Sequence, residues 1–239
     1  MILGYLLIMV VSAILFALLI PPLEIENARA GEFEDDAFPK ATENSPIPYL
    51  IGLARIDSPN TLFVGGFRPV PITERIKVSI FKKKTIIVGY RYYLTIDLGI
   101  CLGGAEGVTL HAIYVDDKEV WTGTVTDDTP FTFADLELFG GHKKGGGFSA
   151  TCRFYPGTFD QAKNAYIDAM PESGGLLTKY LGISHIVMED AYVGESPSLK
   201  RIGFKVSRFT NTLELEGGKE IIELTTVNIA EAIYAGMVD

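Results

Sequence analysis

Apolar and polar positions alternate along much of the chain, and the longest alternation runs from Ile86 to Ile100. Every even position in this range is aliphatic or aromatic, whereas the odd positions include Arg91, Thr95 and Asp97. A period of two over eight repeats predicts a long β-strand with one buried face. Such a strand exceeds the usual length of about five or six residues, as strands in barrels and tube-like sheets often do.

Shorter segments repeat the strand pattern and predict a mainly β body with minor α content. Asp116-Asp117-Lys118 lies between two apolar segments and predicts a hairpin turn, and a glycine-rich loop spans Phe139 to Gly147. Helical spacing is confined to 160–170 and 227–238, where Asn228 is a candidate N-cap. The remaining predicted strands are 108–115, 119–121, 148–155, 183–189 and 199–209.

The first 22 residues differ from the rest, because they are apolar without alternation. Met1–Ile20 contains 18 hydrophobic residues, and the first charge is Glu24. Twenty helical residues measure about 30 Å, the hydrocarbon thickness of a bilayer, so we predict an apolar helix at 1–22. A signal peptide cleaved at Ala28-Arg29-Ala30 is disfavoured, since no basic residue precedes the apolar run. A transmembrane anchor and a helix buried among protein subunits remain open.

The chain then changes composition twice. Residues 23–46 contain seven acidic residues and few large apolar ones, which predicts an acidic linker. The predicted β-rich part occupies 47–215, and 216–239 is predicted to begin a further, helical segment.

Charge excludes one class of function. The chain has 30 acidic and 21 basic residues, for a formal net charge of −9. Because lysine and arginine drive binding to phosphate backbones, we expect no sequence-specific nucleic-acid binding. The basic run Lys82-Lys83-Lys84 lies near Arg75 and Lys77, and we interpret it as a solvated hairpin tip in preference to a phosphate-binding patch.

No arrangement of residues indicates catalysis. In the glycine-rich loop, Gly146 and Gly147 occupy the places where a P-loop needs lysine and then serine or threonine. A nucleophile elbow and a zinc-protease motif are absent. The pairs Asp35-Asp36, Asp116-Asp117 and Asp127-Asp128 are adjacent in turns, so they cannot face one another across a cleft. We therefore expect no enzyme and no catalytic or cofactor-binding residue.

We likewise predict no metal site. His111, His142 and His185 are scattered, and we interpret each as a solvated or packed side chain. Cys101 and Cys152 lie in strand-like segments without a CxxC pattern, which favours buried free thiols. Spacing alone leaves a bridge between these two cysteines open.

Short motifs follow one another along the chain at 46–52, 60–65, 88–94, 101–103, 120–123, 138–141 with 145–147, 189–194, 204–208 and 228–233. This ordered series resembles the N-terminal region of tail tip, or baseplate hub, proteins of long-tailed bacteriophages, the family that includes the tip attachment protein of lambda-type tails. Two positions depart from the family pattern. Tyr180-Leu181-Gly182 has leucine where the family has arginine, so a contact made by that arginine would be lost, and Asn228-Ile229-Ala230 has isoleucine where the family has proline.

The resemblance implies a fold and a set of partners. It implies a tube-like hub β-barrel domain with an inserted domain, preceded by an apolar N-terminal helix and assembled as a homotrimer. The partners would be the distal tail protein, the tape measure protein and the tip or fibre proteins. In the family, the counterpart of 228–230 lies early in a longer chain, so this sequence is expected to correspond to part of a longer hub.

The resemblance also implies a location and a function. The protein would be a structural virion protein at the tail tip, closing the tail tube and serving host attachment and DNA delivery. It favours burial of residues 1–22 among subunits, with contact to the host membrane as a further hypothesis for the same residues. The alternative is a bitopic envelope protein that displays a β-rich exported domain.

Overall fold

The computed structural model describes residues 9, 11–12, 26–32, 46–78, 83–141, 144–175 and 177–208. The helix predicted at 1–22 therefore lies outside the described residues, apart from Met9, Val11 and Ser12. Most of the predicted linker at 23–46 and all of the predicted segment at 216–239 also lie outside them.

Strands dominate the described residues, which confirms the mainly β prediction with minor α content. The helical elements are short: α1 (Ala165–Asp168) and two 3-10 turns at Leu138–Gly140 and Pro171–Ser173. The strands are β1 (Gly52–Ile56), β2 (Asn60–Lys77), β3 (Lys83–Leu102), β4 (Thr109–Val115), β5 (Lys118–Val125), β6 (Phe131–Asp135), β7 (Phe148–Tyr155), β8 (Ile183–Gly194) and β9 (Ile202–Arg208).

The strands form two antiparallel sheets. One has the order β1-β9-β4-β5 and the other β2-β3-β8-β7-β6. Each sheet keeps two edge strands, so the closed barrel expected for the hub domain is not found among the described residues. Trp121 on β5 packs against Phe131 on β6, with ring centroids 4.6 Å apart, and this contact links an edge of one sheet to an edge of the other.

The chain divides into two compact units. Among the described residues, the smaller unit holds 26–30, 70–78 and 83–90, and the larger holds 31–32, 46–69 and 91–208 with the gaps given above. We call residues 70–78 and 83–90, the parts of β2 and β3 in the smaller unit, the ribbon.

The second half of β3 is buried on both faces, whereas its alternation predicts one buried face. Leu94, Ile96 and Leu98 lie on one face, Thr95 and Asp97 lie on the other, and all are at most 1% exposed. The polar face is covered by the segment between β7 and β8. Within this segment, Ile167 and Leu177 pack with Tyr155, Val187 and Phe63.

The predicted hairpin turn at Asp116-Asp117 is confirmed. Its two aspartates have φ angles of 44° and 67°, as a type I′ turn requires, and β4 and β5 pair on either side of it. Aspartate tolerates this left-handed region better than most residues.

Two glycines allow the segment after β7 to approach the end of β3. A Cβ atom on Gly103 would lie 2.3 Å from the carbonyl oxygen of Gly157, which is closer than real Cβ contacts. The amide of Gly104 donates to that same carbonyl at 3.0 Å. Gly157 also has a φ angle of 85°, so each position has its own reason for glycine.

We expect Gly103→Ala to lower the free energy of unfolding by about 3 kcal/mol, because the backbone atoms it would strike cannot rotate away. The measurement is urea unfolding followed by Trp121 fluorescence. Gly174→Ala is the control: Gly174 has a φ angle of 60° but open space around it, so only the left-handed strain of about 1 kcal/mol remains. Equal losses for the two variants would contradict the close-approach explanation.

Candidate functional site

Asp97 and His185 form a buried polar pair in the larger unit. The imidazole Nδ1 lies 2.8 Å from a carboxylate oxygen of Asp97, and both residues are at most 2% exposed. Strand register explains the contact, because His185 stands opposite Gly99 and Asp97 is the next residue on the same face of β3. A Cβ atom on Gly99 would lie 3.3 Å from the side chain of Leu62, which packs over this position.

Two tyrosines enclose the imidazole. Tyr155 is the register partner of His185 on β7, and the two rings stack with centroids 4.4 Å apart. Tyr180 approaches edge-on at 5.3 Å. Burial raises the pKa of both phenols, and the Asp97 carboxylate adds to the rise at each. Both tyrosines are therefore neutral hydrogen-bonding groups at physiological pH.

The covering segment is fixed by a buried glutamine, Gln161. Its amide nitrogen donates to the carbonyls of Lys179, Tyr180 and Ile183 at 2.7–3.2 Å, and its oxygen accepts from the amide of Gly157 at 2.8 Å. One side chain thus joins both ends of the segment.

A short helix inside the predicted helical range 160–170 completes the cover. Asn164 caps α1, since its side-chain oxygen accepts from the amide of Ile167 at 2.8 Å. Only Ala165–Asp168 is helical, because the segment turns to place Ile167 against β7 and β8.

The chemistry of this pair is that of an oriented but enclosed imidazole. An aspartate at Nδ1 is the arrangement that orients a histidine base, yet catalysis also needs access to Nε2. Within the described residues, Nε2 of His185 has no hydrogen-bond partner, and no serine, threonine or cysteine side chain is bonded to it. The arrangement therefore joins β3 to β8 under the cover and offers no reaction with solvent.

Of the residues in this group, the sequence predicts the environment of His185 alone. His185 was expected to be a solvated or packed side chain, and it is packed. The role of Asp97 was missed, although its odd position in β3 places a charge on the face opposite the aliphatic residues. Gln161 and Asn164 carry no sequence signal for this role, since their partners come from the fold.

The cysteines are free and buried, as the strand pattern favours. Burial raises the pKa of both thiols; the hydroxyl of Ser184, 3.2 Å from Cys101 Sγ, opposes the rise there, and Glu189 adds to it at Cys152. Both thiols are thus protonated and poorly nucleophilic at neutral pH.

The histidines do not converge on a metal. His111 lies 2.6 Å from the hydroxyl of Ser207, and burial together with Lys205 lowers its pKa. His142 lies outside the described residues. Among those that are described, no group of three or more His, Cys, Asp or Glu side chains is arranged to hold a metal ion.

The glycine-rich loop is bonded to itself and to β8. The amide of Gly146 donates to the Gly141 carbonyl at 2.9 Å. The hydroxyl of Tyr192 donates to the Gly146 carbonyl at 3.0 Å, and the amide of Glu195 donates to the Gly145 carbonyl at 2.9 Å. Among the described residues of the loop, the amides of Gly140, Gly141, Lys144, Gly146 and Gly147 donate to backbone carbonyls, so these amides are engaged by the protein.

Ion pairs surround the hairpin turn of the larger unit. Arg55 and Arg201 both bond Asp117 at 2.5 Å, and Lys200 lies 3.9 Å from Asp116. The guanidinium of Arg55 also stacks over Tyr114, 4.2 Å from its centroid. These carboxylates are thus neutralised within the chain.

Comparison with known proteins yields a likeness to solved structures. No protein-family model matches the chain, and no curated protein matches it. Among solved structures, the chain is similar to a chain of a structure described as "Virion of native gene transfer agent (GTA) particle", with a TM-score of 0.44 and 17% sequence identity. The match covers 82% of this chain and 34% of that chain, so this chain spans about a third of the other's length.

The part of the chain that the structure describes contains no helix with the length and apolar character needed to cross a lipid bilayer.

We expect Asp97→Ala to lower the free energy of unfolding by about 3 kcal/mol, because it leaves Nδ1 of His185 buried without a partner. The measurement is urea unfolding at pH 7. Asp57→Ala is the matched control: its ion pair with Arg55 is 43% and 33% exposed, so the loss is about 0.5 kcal/mol. A loss at Asp97 no larger than that of the control would contradict a structural role for the buried pair.

We also expect both cysteines to resist labelling in the native protein. A maleimide reagent at pH 7 should add nothing within the time in which a free thiol peptide is fully labelled, and two adducts per chain should form in urea. Mass spectrometry of the intact chain counts the adducts. Rapid labelling of native Cys152 would show that β7 opens, against its complete burial.

Proposed function

We propose that this protein is a structural component of a phage-like virion, a tail tip or baseplate hub that closes the tail tube. In this role it binds the distal tail protein, the tape measure protein and tip or fibre proteins as a homotrimer, and it serves host attachment and DNA delivery. No catalytic step is assigned to it. The ordered motif series carries this proposal, together with the way in which its members contact one another.

The first contacts join the opening motif to two later ones. The amide of Leu102 donates to the carbonyl of Pro48 at 2.8 Å, which links the motifs 46–52 and 101–103. Strand β1 begins at Gly52, the last residue of the opening motif, and pairs with β9, where Gly52 stands opposite Arg208 of the motif 204–208. Residues about 150 positions apart are thus neighbours.

Further contacts join the central motifs. The amide of Gly103 donates to the carbonyl of Gly182 at 2.9 Å, next to Leu181, which replaces the arginine of the family pattern. The hydroxyl of Tyr192, in the motif 189–194, donates to Gly146 of the glycine-rich motif. A chance series of short matches would not be expected to meet pairwise in the fold, so these contacts support a common scaffold with the hub family.

The charge distribution fits the same role. An acidic surface lets DNA pass through a conduit without adhering, because it repels the phosphate backbone. Buried thiols and an enclosed Asp97–His185 pair are also compatible with a scaffold.

The expected result in electron microscopy is labelling at one end of the tail. A short epitope inserted between Ala105 and Glu106, which are exposed in the turn between β3 and β4, should bind gold-conjugated antibody at the tail end distal to the capsid. Insertion between Gly174 and Gly175, where the space is open, is a second independent position that should give the same pattern. Labelling of capsids, or of membranes with none on purified virions, would overturn the proposal, and a membrane pattern would favour the bitopic alternative.

A further inference from the structure

The stretch of sequence that contains the ribbon, residues 70–90, has a net positive charge, although the chain as a whole is acidic. Residues 70–90 contain five basic residues and one acidic residue, a net charge of +4. Subtracting this from the total of −9 leaves −13 on all other residues. The two parts of one chain therefore carry opposite charge.

Three exposed basic side chains define the charged surface of the ribbon. They are Arg75, Lys77 and Lys83, and within the described residues none of the three lies in an ion pair. Lys118, Lys144 and Lys179 of the larger unit are likewise exposed without an ion pair there. What distinguishes the ribbon is therefore that its basic residues outnumber its acidic ones.

The ribbon has little support of its own within the described residues. Strand β8 pairs with β3 only from Tyr92 onward, so the ribbon part of β3 is bonded instead to the short segment 26–30, where the amide of Ala28 donates to the Ile87 carbonyl at 2.9 Å. Val88 is 43% exposed. A two-stranded ribbon is marginal in water, and a surface that covers it adds stability.

Exposed carboxylates of the larger unit are available to meet this charge. Asp127 and Asp128 lie in the turn between β5 and β6 and are exposed, and no ion pair involves them within the described residues. Hydrogen bonds from Thr129 lower the pKa of Asp127, so it stays ionised well below neutral pH. By contrast, Asp116 and Asp117 already pair with arginine and lysine.

We propose that the ribbon of one copy docks, through Arg75, Lys77 and Lys83, onto the acidic surface around Asp127 and Asp128 of a second copy of this chain. The partner is a second copy because the chain itself supplies both surfaces, with complementary charge. A nucleic acid or an anionic membrane is disfavoured, because the other residues, with a net charge of −13, would repel it. The contact rests on charge alone and does not depend on the assembly being a tail tip.

The test is self-association of the full chain in mild detergent, measured by sedimentation velocity at 50 and 500 mM NaCl. We expect the wild type to associate at low salt and at least about tenfold more weakly at high salt, because added salt screens exposed charges. The variant Arg75→Glu/Lys77→Glu should remain dissociated at both salt concentrations. Lys144→Glu/Lys179→Glu changes the net charge equally outside the ribbon and should associate like the wild type.

A reciprocal pair of variants tests which surfaces meet. Asp127→Lys/Asp128→Lys should also remain dissociated alone, and mixing it with Arg75→Glu/Lys77→Glu should restore association, since the reversed charges attract. Equal association of all variants, or association insensitive to salt, would overturn the proposal. So would a wild type that stays monomeric while its ribbon binds duplex DNA or phosphatidylserine vesicles, which would assign the charge to a phosphate ligand. Far-UV circular dichroism of each variant checks that it is folded.

Discussion

The pairing of β3 with β8 is the constraint on which the rest of the larger unit depends. Both strands are buried on two faces where they pair, so polar side chains there must find partners within the protein. Asp97 and His185 bond to each other through a carboxylate oxygen and Nδ1. The segment between β7 and β8 then closes over them, held by Gln161. Where β3 and β8 pair, the sheet is therefore buried on both faces, although an antiparallel sheet can leave one face exposed to water.

Close backbone approaches make this enclosure possible. Gly103 and Gly157 meet where a side chain on Gly103 would strike a carbonyl oxygen, and both lie at the junction of β3, β7 and β8. The motifs that resemble those of phage tail hubs lie at these junctions and touch one another, as at Gly103 with Gly182 and Tyr192 with Gly146. The resemblance therefore concerns residues at the junctions between strands.

Charge is organised separately from the core. In the larger unit, two arginines and a lysine pair with the carboxylates of Asp116 and Asp117. The ribbon carries exposed positive charge at Arg75, Lys77 and Lys83. This distribution of charge is the basis of the contact that we propose between two copies of the chain.

Alternation and turn chemistry are local properties of a sequence. They were enough to predict the mainly β class, both ends of strand β7 and the turn at Asp116-Asp117. They did not predict the 18-residue strand β2, where Gly65-Gly66, Pro69 and Pro71 interrupt the pattern. Prolines are tolerated there because β2 is an edge strand, and only the tertiary structure decides which strand lies at an edge. The tertiary fold also brings Asp97 to His185. Among the described residues it forms two open sheets, whereas the resemblance implies a closed barrel. The contact between Asp97 and His185 joins residues that are 88 positions apart in sequence, and no local pattern encodes such a contact.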